Sequence, residues 1–506
     1  MKKFTLVLIS ILLFSSTLII TYAGAEDNIM DKSYYINIME SQAGFVKKLQ
    51  LNNGAIGYYK AGINPGNYAD LSMPEVDGIK PQTYTSWKST KIIPYFSSFA
   101  CLGLINSAEI LGDLSVKQIA LDYINWYISH MNSADEDING VADTVYDYFI
   151  FQNPQDGQII EVTLHDAYSS KYANPKENPY DYDSTDSYAA VFLEILYEYT
   201  RVFDNNFLND KKDLVARLID VILATYIPKL GLTGAKPNYM VCYLMDNCEV
   251  FKGFNAAYNI YNEFIDDQAA KSNVSVYAEN IKNAILKSFW NNENQAFTAG
   301  VFEDGNPAYG TSESELKNFY PQATSQLFPI IFDLIDKDDS TAKMVYNRFK
   351  NEYIQKSVVG KDWSVYSTGD SYPWVILLRA VVEMEDYQTA NTFINTVRTQ
   401  FILSGYTSSN FYNAEAGHML ISLSEIMKKH YPEHIGFDDT SEDNSDEESS
   451  INSELSQNNS EEQSLPANKP DKTGNTLLYT GIGAALVVAA SAIIIILKKN
   501  KKNMEK

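Results

Sequence analysis

Between residues 30 and 430 the chain alternates short and long interruptions of helical pattern, and that alternation constrains its fold more than any other feature. Apolar residues recurring at i, i+3, i+4 and i+7 predict twelve helices, near 30–50, 94–112, 115–132, 186–203, 208–229, 249–266, 273–291, 321–336, 338–354, 371–385, 387–402 and 412–429. Gaps after the odd-numbered predicted helices run from about nine to over fifty residues, whereas those after the even-numbered ones are only a few. Consecutive antiparallel helices put successive connections at opposite ends, so all the long connections fall at one end. Six such hairpins can close into a ring of inner helices wrapped by outer ones. The expectation is an all-α fold, an (α/α)6 toroid. Period-two strand runs are nearly absent, and no fixed-period self-similarity points to an open array. Pro94 and Pro321 suit first helical turns, and Asn247 suits an N-cap.

The ends of the chain read differently. Residues 1–25 carry Lys2 and Lys3, an apolar run and Ala23-Gly24-Ala25, the pattern of a secretory signal peptide. Residues 437–474 are acidic and rich in Ser and Asn, too poor in apolar surface to fold, and read as a disordered stalk. Residues 475–497 are uncharged and long enough to span a bilayer, and the lysine-rich tail 498–506 places that end in the cytoplasm. Lys469-Pro470-Asp471-Lys472-Thr473-Gly474 resembles a sortase sorting signal, although Pro470 stands one residue too far from Thr473. Sortase processing and a plain stop-transfer helix both remain open, and both put residues 26–436 on the cell surface, extracellular and anchored at the C-terminal end.

The net charge of −24 argues against nucleic acid or another anionic polymer as partner. Three cysteines are too few for a disulfide framework, although Cys242 and Cys248 could pair. Thirty-six tyrosines suit stacking on sugar faces, as they also suit core packing. Long loops held by a rigid scaffold are where binding residues gather, so the site is expected at the long-connection end.

Twelve helices with one elaborated end, together with "LNNGAIGYY" (Leu51–Tyr59), "IIPYFSSFACLGLI" (Ile92–Ile105) and "FYNAEAGHML" (Phe411–Leu420), resemble the six-hairpin glycosidase superfamily. The resemblance spans residues 30–431 and implies the (α/α)6 toroid and, most often, glycoside hydrolysis by two carboxyl groups. Three acidic stretches open predicted inner helices. Asp183 and Asp186 stand in "NPYDYDSTDSY", where a related endoglucanase-like family has an Asp-x-Asp pair touching the central sugar. That family's catalytic glutamate at the start of the second helix has no counterpart in "TSWKSTKIIPYF". Asp246 and Glu249 stand in "YMVCYLMDNCEVFKG", and Glu415 in "NFYNAEAGHML". Each has a plainer reading: Asp183 as N-cap with Asp186 three residues on, Glu249 and Glu415 as first-turn acids. Asp70, Glu75, Asp77 and Asp370 add loop acids. Trp87, Tyr182, Tyr188, Tyr239, Tyr243, Trp363, Tyr372, Trp374 and Tyr412 are candidate stacking platforms, with ordinary packing as the alternative. Asp135, Asp137, Asn139, Gly140 and Asp143 match part of a calcium loop, but Tyr146 replaces the closing acid. The loop therefore reads as solvated, with a structural calcium as the less favoured alternative, and no cofactor is expected. The expected function is a surface glycoside hydrolase acting on a neutral or weakly charged glycan. The alternative is a non-catalytic glycan-binding or adhesion protein on the same fold. A polysaccharide lyase fits less well, since uronate substrates want a basic groove.

Overall fold

The computed structural model describes residues 29–59, 68, 70–357, 362–366, 372–408 and 410–437. The expected signal peptide, membrane segment and tail, all but the first residue of the stalk, and Asp370 lie outside the described residues. Among the described residues no helix is long and apolar enough to cross a membrane. The compact unit ends at Ile435.

Among the described residues, twelve principal helices follow the predicted order. They are α1 (Lys32–Leu49), α2 (Pro94–Leu111), α3 (Ser115–Ser129), α4 (Thr185–Phe203), α5 (Lys212–Leu223), α6 (Leu244–Glu263), α7 (Gln268–Ser288), α8 (Phe328–Ile331), α9 (Ser340–Phe349), α10 (Ile376–Glu383), α11 (Tyr387–Val397) and α12 (Asn413–His430). The even-numbered helices touch in a closed cycle: α2 packs on α4, α4 on α6, α6 on α8, α8 on α10, α10 on α12, and α12 on α2 again. Odd-numbered helices wrap them, α1 against both α12 and α2, α5 against α4, α7 against α6 and α11 against α10. This is the (α/α)6 toroid.

Position in the ring explains the sequence of each helix. The outer helix α5 buries one stripe, Leu214, Val215, Leu218, Ile219, Val221 and Ile222, and leaves the rest to water. The inner helix α4 is covered on every side, so Thr185 to Leu196 is buried without a break. Inner helices cross closely at small residues. A Cβ on Gly103 of α2 would lie 2.5 Å from the carbonyl oxygen of Gly417 in α12, and one on Gly417 would lie 2.2 Å from that of Phe99. Gly253 of α6 meets Ala190 of α4 in the same way, at 2.7 Å.

The long connections meet each other in turn around one mouth. Strand β1 (Lys88–Ile92) of the first pairs antiparallel with β2 (Tyr148–Gln152) of the second, which pairs with β3 (Ile159–Thr163). Thr185 N–H, where the second ends, donates to Ala235 O of the third at 2.7 Å. Cys242–Tyr243 of the third pairs with Gly300–Val301 of the fourth. Tyr320 of the fourth lies 5.0 Å, ring to ring, from Trp374 of the fifth. Val375 N–H donates to Glu415 at the end of the sixth, at 2.8 Å. Asn413 N–H closes the circle on Tyr58 O of the first, at 2.9 Å.

Three expectations need correction. The fold is not purely helical: β1–β3 carry a satellite core of Tyr84, Phe149, Phe151, Ile160, Val162 and Leu164. The eighth helix is broken; Pro321 sits in a separate wide turn, Phe319–Ala323, and regular helix runs only Phe328–Ile331. Pro329 lacks an amide proton and so belongs in a first turn, and Asp333, at φ 58°, stops the helix. Finally, Asn247 caps nothing. Helix α6 begins at Leu244, and the buried Asn247 amide instead clamps Thr233, accepting from its N–H at 2.9 Å and donating to its carbonyl at 3.0 Å.

Closure of the ring at Gly103 and Gly417 makes a direct prediction. Gly417→Ala drives a methyl into the α2 backbone, which cannot yield as a side chain could. The expected loss is about 3 kcal/mol, measured as a lower urea midpoint, whereas Gly112→Ala, beyond the end of α2 with open space around it, costs less.

Candidate active site

Five carboxyl groups from the second connection and the tops of α4 and α6 face one another across the mouth. Asp183 is exposed, and Asp147 and Asp246 are partly exposed, whereas Asp186 and Glu249 are buried. The local reason for Asp183's accessibility is the cap. Ser184, not Asp183, is the N-cap of α4, its hydroxyl accepting from Ser187 N–H at 3.1 Å. Asp186 folds back onto that cap, accepting from Ser184 Oγ at 2.5 Å and Ser187 N–H at 2.9 Å. The expected capping role of Asp183 is thus taken by its neighbour, and its carboxylate is left facing solvent.

Tyrosines hold the other acids. Tyr95, in the first turn of α2, donates to Glu249 Oε1 at 2.5 Å, and Tyr188 donates to Asp147 Oδ1 at 3.0 Å. The two rings stack, with centroids 5.8 Å apart. Lys236 pairs with buried Asp181 at 2.6 Å and lies over the Tyr182 ring. Sequence reasoning missed Asp147, Tyr95, Tyr320 and Lys236. Tyr95 follows a quoted motif residue, Pro94, and Asp147 stood one place beyond the calcium-loop pattern.

Crowding of like charges under partial desolvation favours protons. Burial, with Asp183 and Asp181 nearby, raises Asp147 to about 8, against stabilisation of its anion by Tyr188 and Lys236. Burial, then Asp186, Glu249 and Asp183, pushes Asp246 well above the carboxylate range. Glu249 rises to about 8, chiefly by burial and against the Tyr95 hydrogen bond. Asp186 rises to about 6, held down by its Ser184 contact. Asp183 opens to solvent, yet crowding by the walls of the mouth raises its proton affinity too, a rise that Lys236 opposes. One mouth therefore holds carboxyls with different proton affinities, the arrangement acid–base chemistry needs.

Glu415 stands apart from this group. It is buried at the first turn of α12, its Oε2 holding Val375 N–H, and burial raises it to about 8. Around it lies an aromatic wall: Tyr412 stacks on Tyr58 at 4.6 Å, and Tyr372 stacks on Trp374 at 4.9 Å. Trp374 takes a left-handed backbone, φ 57°, and its buried indole N–H is unpartnered. Tyr320 joins the two halves, since its ring meets Trp374 and its hydroxyl feels Asp183, Asp246 and Glu249. Tyr239 and Tyr243 bond through their hydroxyls at 3.1 Å and are partly exposed.

Other expected platforms pack within the fold. Trp363 is fully buried, stacked at 4.0 Å on Phe393 of the outer helix α11, with its N–H given to Trp374 O. Trp87 packs against the satellite core under β1–β3. Tyr182 and Tyr188 are buried beneath the acids they support. Asp70, Glu75 and Asp77 are exposed.

Among the described residues no three His, Cys, Asp or Glu side chains are placed to share a metal ion. In the calcium-like loop Asp143 pairs with Arg217, and Asp137 folds onto Asn139 N–H and Val141 N–H at 3.0 and 2.9 Å. Cys101, Cys242 and Cys248 are buried and unbonded. A cavity of about 730 Å³ lies away from the mouth, between α9 and the fourth connection, lined by Asn294, Thr311, Arg348 and Glu352. None of the acidic group borders it.

No protein-family model matches the chain, and no curated protein matches it in sequence. Solved structures similar to it include a wild-type glycosidase (10% identity, 79% of this chain and 99% of that one, TM-score 0.45). They also include a cold-adapted family 8 xylanase (11%, 79% and 91%, TM-score 0.43). A third is a D-mannose isomerase (9%, 79% and 98%, TM-score 0.46).

Glu415 gives a pH prediction. Its affinity for a proton is higher folded than unfolded, rising from an ordinary 4.5 to about 8. Its contribution is therefore complete below pH 4.5 and is lost as pH climbs through 8. The thermal midpoint should fall across that window, and Glu415→Gln, which keeps an acceptor for Val375 N–H, should flatten the fall.

Proposed function

We propose that the protein is a glycoside hydrolase acting on a neutral or weakly charged glycan. The observation that supports it is the set of three solvent-reachable carboxyls, Asp147, Asp183 and Asp246, close enough to oppose one another's ionisation and flanked by Tyr188 and Tyr320. Hydrolysis of a glycosidic bond needs one carboxyl that holds a proton at working pH and another that holds charge. Asp246 suits the first role. Burial and three flanking carboxyls make its proton costly to remove, so it can deliver that proton to the leaving oxygen. Asp183 suits the second, because its exposure admits water and Lys236 opposes the rise in its proton affinity. Tyr95, Tyr320 and Tyr243 supply flat faces and hydroxyls beside the pair, which match the apolar face and polar rim of a sugar ring. An acidic mouth on an acidic chain disfavours polyanionic substrates.

We further propose that residues 26–436 work outside the cell, held by the apolar segment 475–497 with or without sortase cleavage. Protease shaving of intact cells that leaves the domain untouched would count against this.

Purified protein is expected to release reducing ends from at least one member of a glycan panel. Asp183→Asn and Asp246→Asn should each lower kcat at least about a hundredfold while sugar binding persists. Binding by the wild type without any release would replace this reading with a non-catalytic glycan-binding one.

A further inference from the structure

The cavity of about 730 Å³ between the outer helix α9 and the fourth connection takes no part in the chemistry of the mouth. Its volume lies within the roughly 300–1,000 Å³ usual for small-ligand sites. The floor is apolar, formed by Leu316, Ala323, Val345, Phe349 and Tyr353, all buried. The Phe349 and Tyr353 rings lie 5.1 Å apart, centroid to centroid. One wall is a stripe along α9 and the wide turn that continues it, Lys350–Gln355. Met344, Asn347, Arg348, Asn351 and Glu352 recur there at helical spacing and border the cavity. Wide turns of this kind occur often at functional sites.

Some polar groups of the cavity serve the fold. Arg348 donates to the Asn294 and Gln295 carbonyls at 3.2 and 3.0 Å, and the Tyr353 hydroxyl donates to Leu316 O at 3.1 Å. These bonds tie α9 and its turn to the fourth connection around the opening. Others are left open. Among the described residues, the side-chain amides of Asn347 and Asn351 and the Oδ1 of Asn294 have no hydrogen-bond partner. Thr311 Oγ1 accepts from Asn294 Nδ2 at 3.1 Å, which leaves its own proton to give. Amides and hydroxyls both donate and accept, as sugar hydroxyls do. The charges at the rim balance: Glu313 pairs with Lys317 at 3.8 Å, Glu352 pairs with Lys356, and Glu293 is opposite in sign to Arg348. Neither an anion nor a cation is favoured there.

The cavity and the mouth share a wall, the turn Phe319–Ala323. Tyr320 meets Trp374 of the mouth's aromatic wall at 5.0 Å, whereas Ala323 borders the cavity. The Phe319 ring stands between, 5.7 Å from Trp374 on one side and 5.3 Å from Tyr353 on the other. We propose that this cavity is a second saccharide-binding site, taking a neutral sugar segment beside the mouth. The apolar face of the sugar lies over the Phe349 and Tyr353 floor, and Asn294, Asn347 and Asn351 meet its hydroxyls. That one glycan reaches from this site into the mouth rests on the glycosidase reading, but sugar binding in the cavity does not.

The test uses the full-length protein carrying Asp183→Asn and Asp246→Asn, so that sugars are not cleaved. The probes are linear hexasaccharides of glucose and of xylose, with a galacturonate hexamer as the anionic comparison. Crystals soaked in at least one neutral hexasaccharide should show sugar in the cavity. Calorimetric titration with that sugar should show a site that Asn347→Ala with Asn351→Ala weakens about tenfold. Both asparagines are exposed and their side chains hold nothing in the fold, so the variant should fold like its parent. A cavity left empty by every neutral sugar overturns the proposal, as does an affinity that the two substitutions leave unmoved. Occupation by the galacturonate hexamer alone overturns it too. Sugar bound in the cavity of a wild-type protein that hydrolyses no glycan would remove the glycosidase reading and leave this one standing. Hydrolysis with the cavity empty would do the reverse.

Discussion

Ring closure is the interaction on which the remainder depends. The first and last inner helices, α2 and α12, meet where Gly103 and Gly417 let two backbones touch. Above that crossing the Asn413 amide reaches Ser97 Oγ at 3.2 Å, and its backbone N–H reaches Tyr58 O. Side chains cannot substitute for this approach, because anything larger than hydrogen would hold the helices apart. With the ring shut, six connections are forced around one rim. They satisfy each other's backbone groups there, through β1–β2, the Cys242–Gly300 pairing and Val375 to Glu415.

The mouth so formed is electrostatically unfavourable to fold. Five carboxyls share a small, partly dry volume, and the ring pays for them by protonation, by the Lys236–Asp181 pair and by tyrosine hydroxyls. Such an arrangement has no evident structural use, since apolar residues of similar volume would pack there without the repulsion. That is the physical basis for reading it as a site. Glu415 makes the contrast: it too is raised by burial, but it is spent on the Val375 N–H, which joins two connections, and on the Tyr412 hydroxyl.

Much of the scaffold was legible in the sequence because inner and outer helices leave different marks. The one-sided stripe of α5 and the run Ala189–Leu196 of α4, apolar except for Glu194, both follow from layer position, and the alternation of gap lengths fixed which end would be elaborated. The breakdown of the eighth helix was half visible, since Pro329 was in view but its consequence depended on Asp333 accepting a left-handed turn. The strands β1–β3 were not visible: Lys88–Ile92 and Tyr148–Gln152 are five residues each and become a sheet only by meeting across fifty-odd intervening residues. Trp363 likewise looked like a platform until its neighbour proved to be Phe393 of an outer helix.

By itself, then, the sequence determined the count and order of the helices, the end at which long connections collect, and the presence there of Asp183, Asp186, Asp246 and Glu249. Helical periodicity and local chain connectivity suffice for those. Only tertiary structure decided which acids reach solvent, since Ser184 rather than Asp183 took the cap and Tyr188 drew Asp147 into the group. It also decided that Glu415 is withdrawn. Exposure and proton affinity depend on neighbours brought from distant connections, and no local pattern of residues records them.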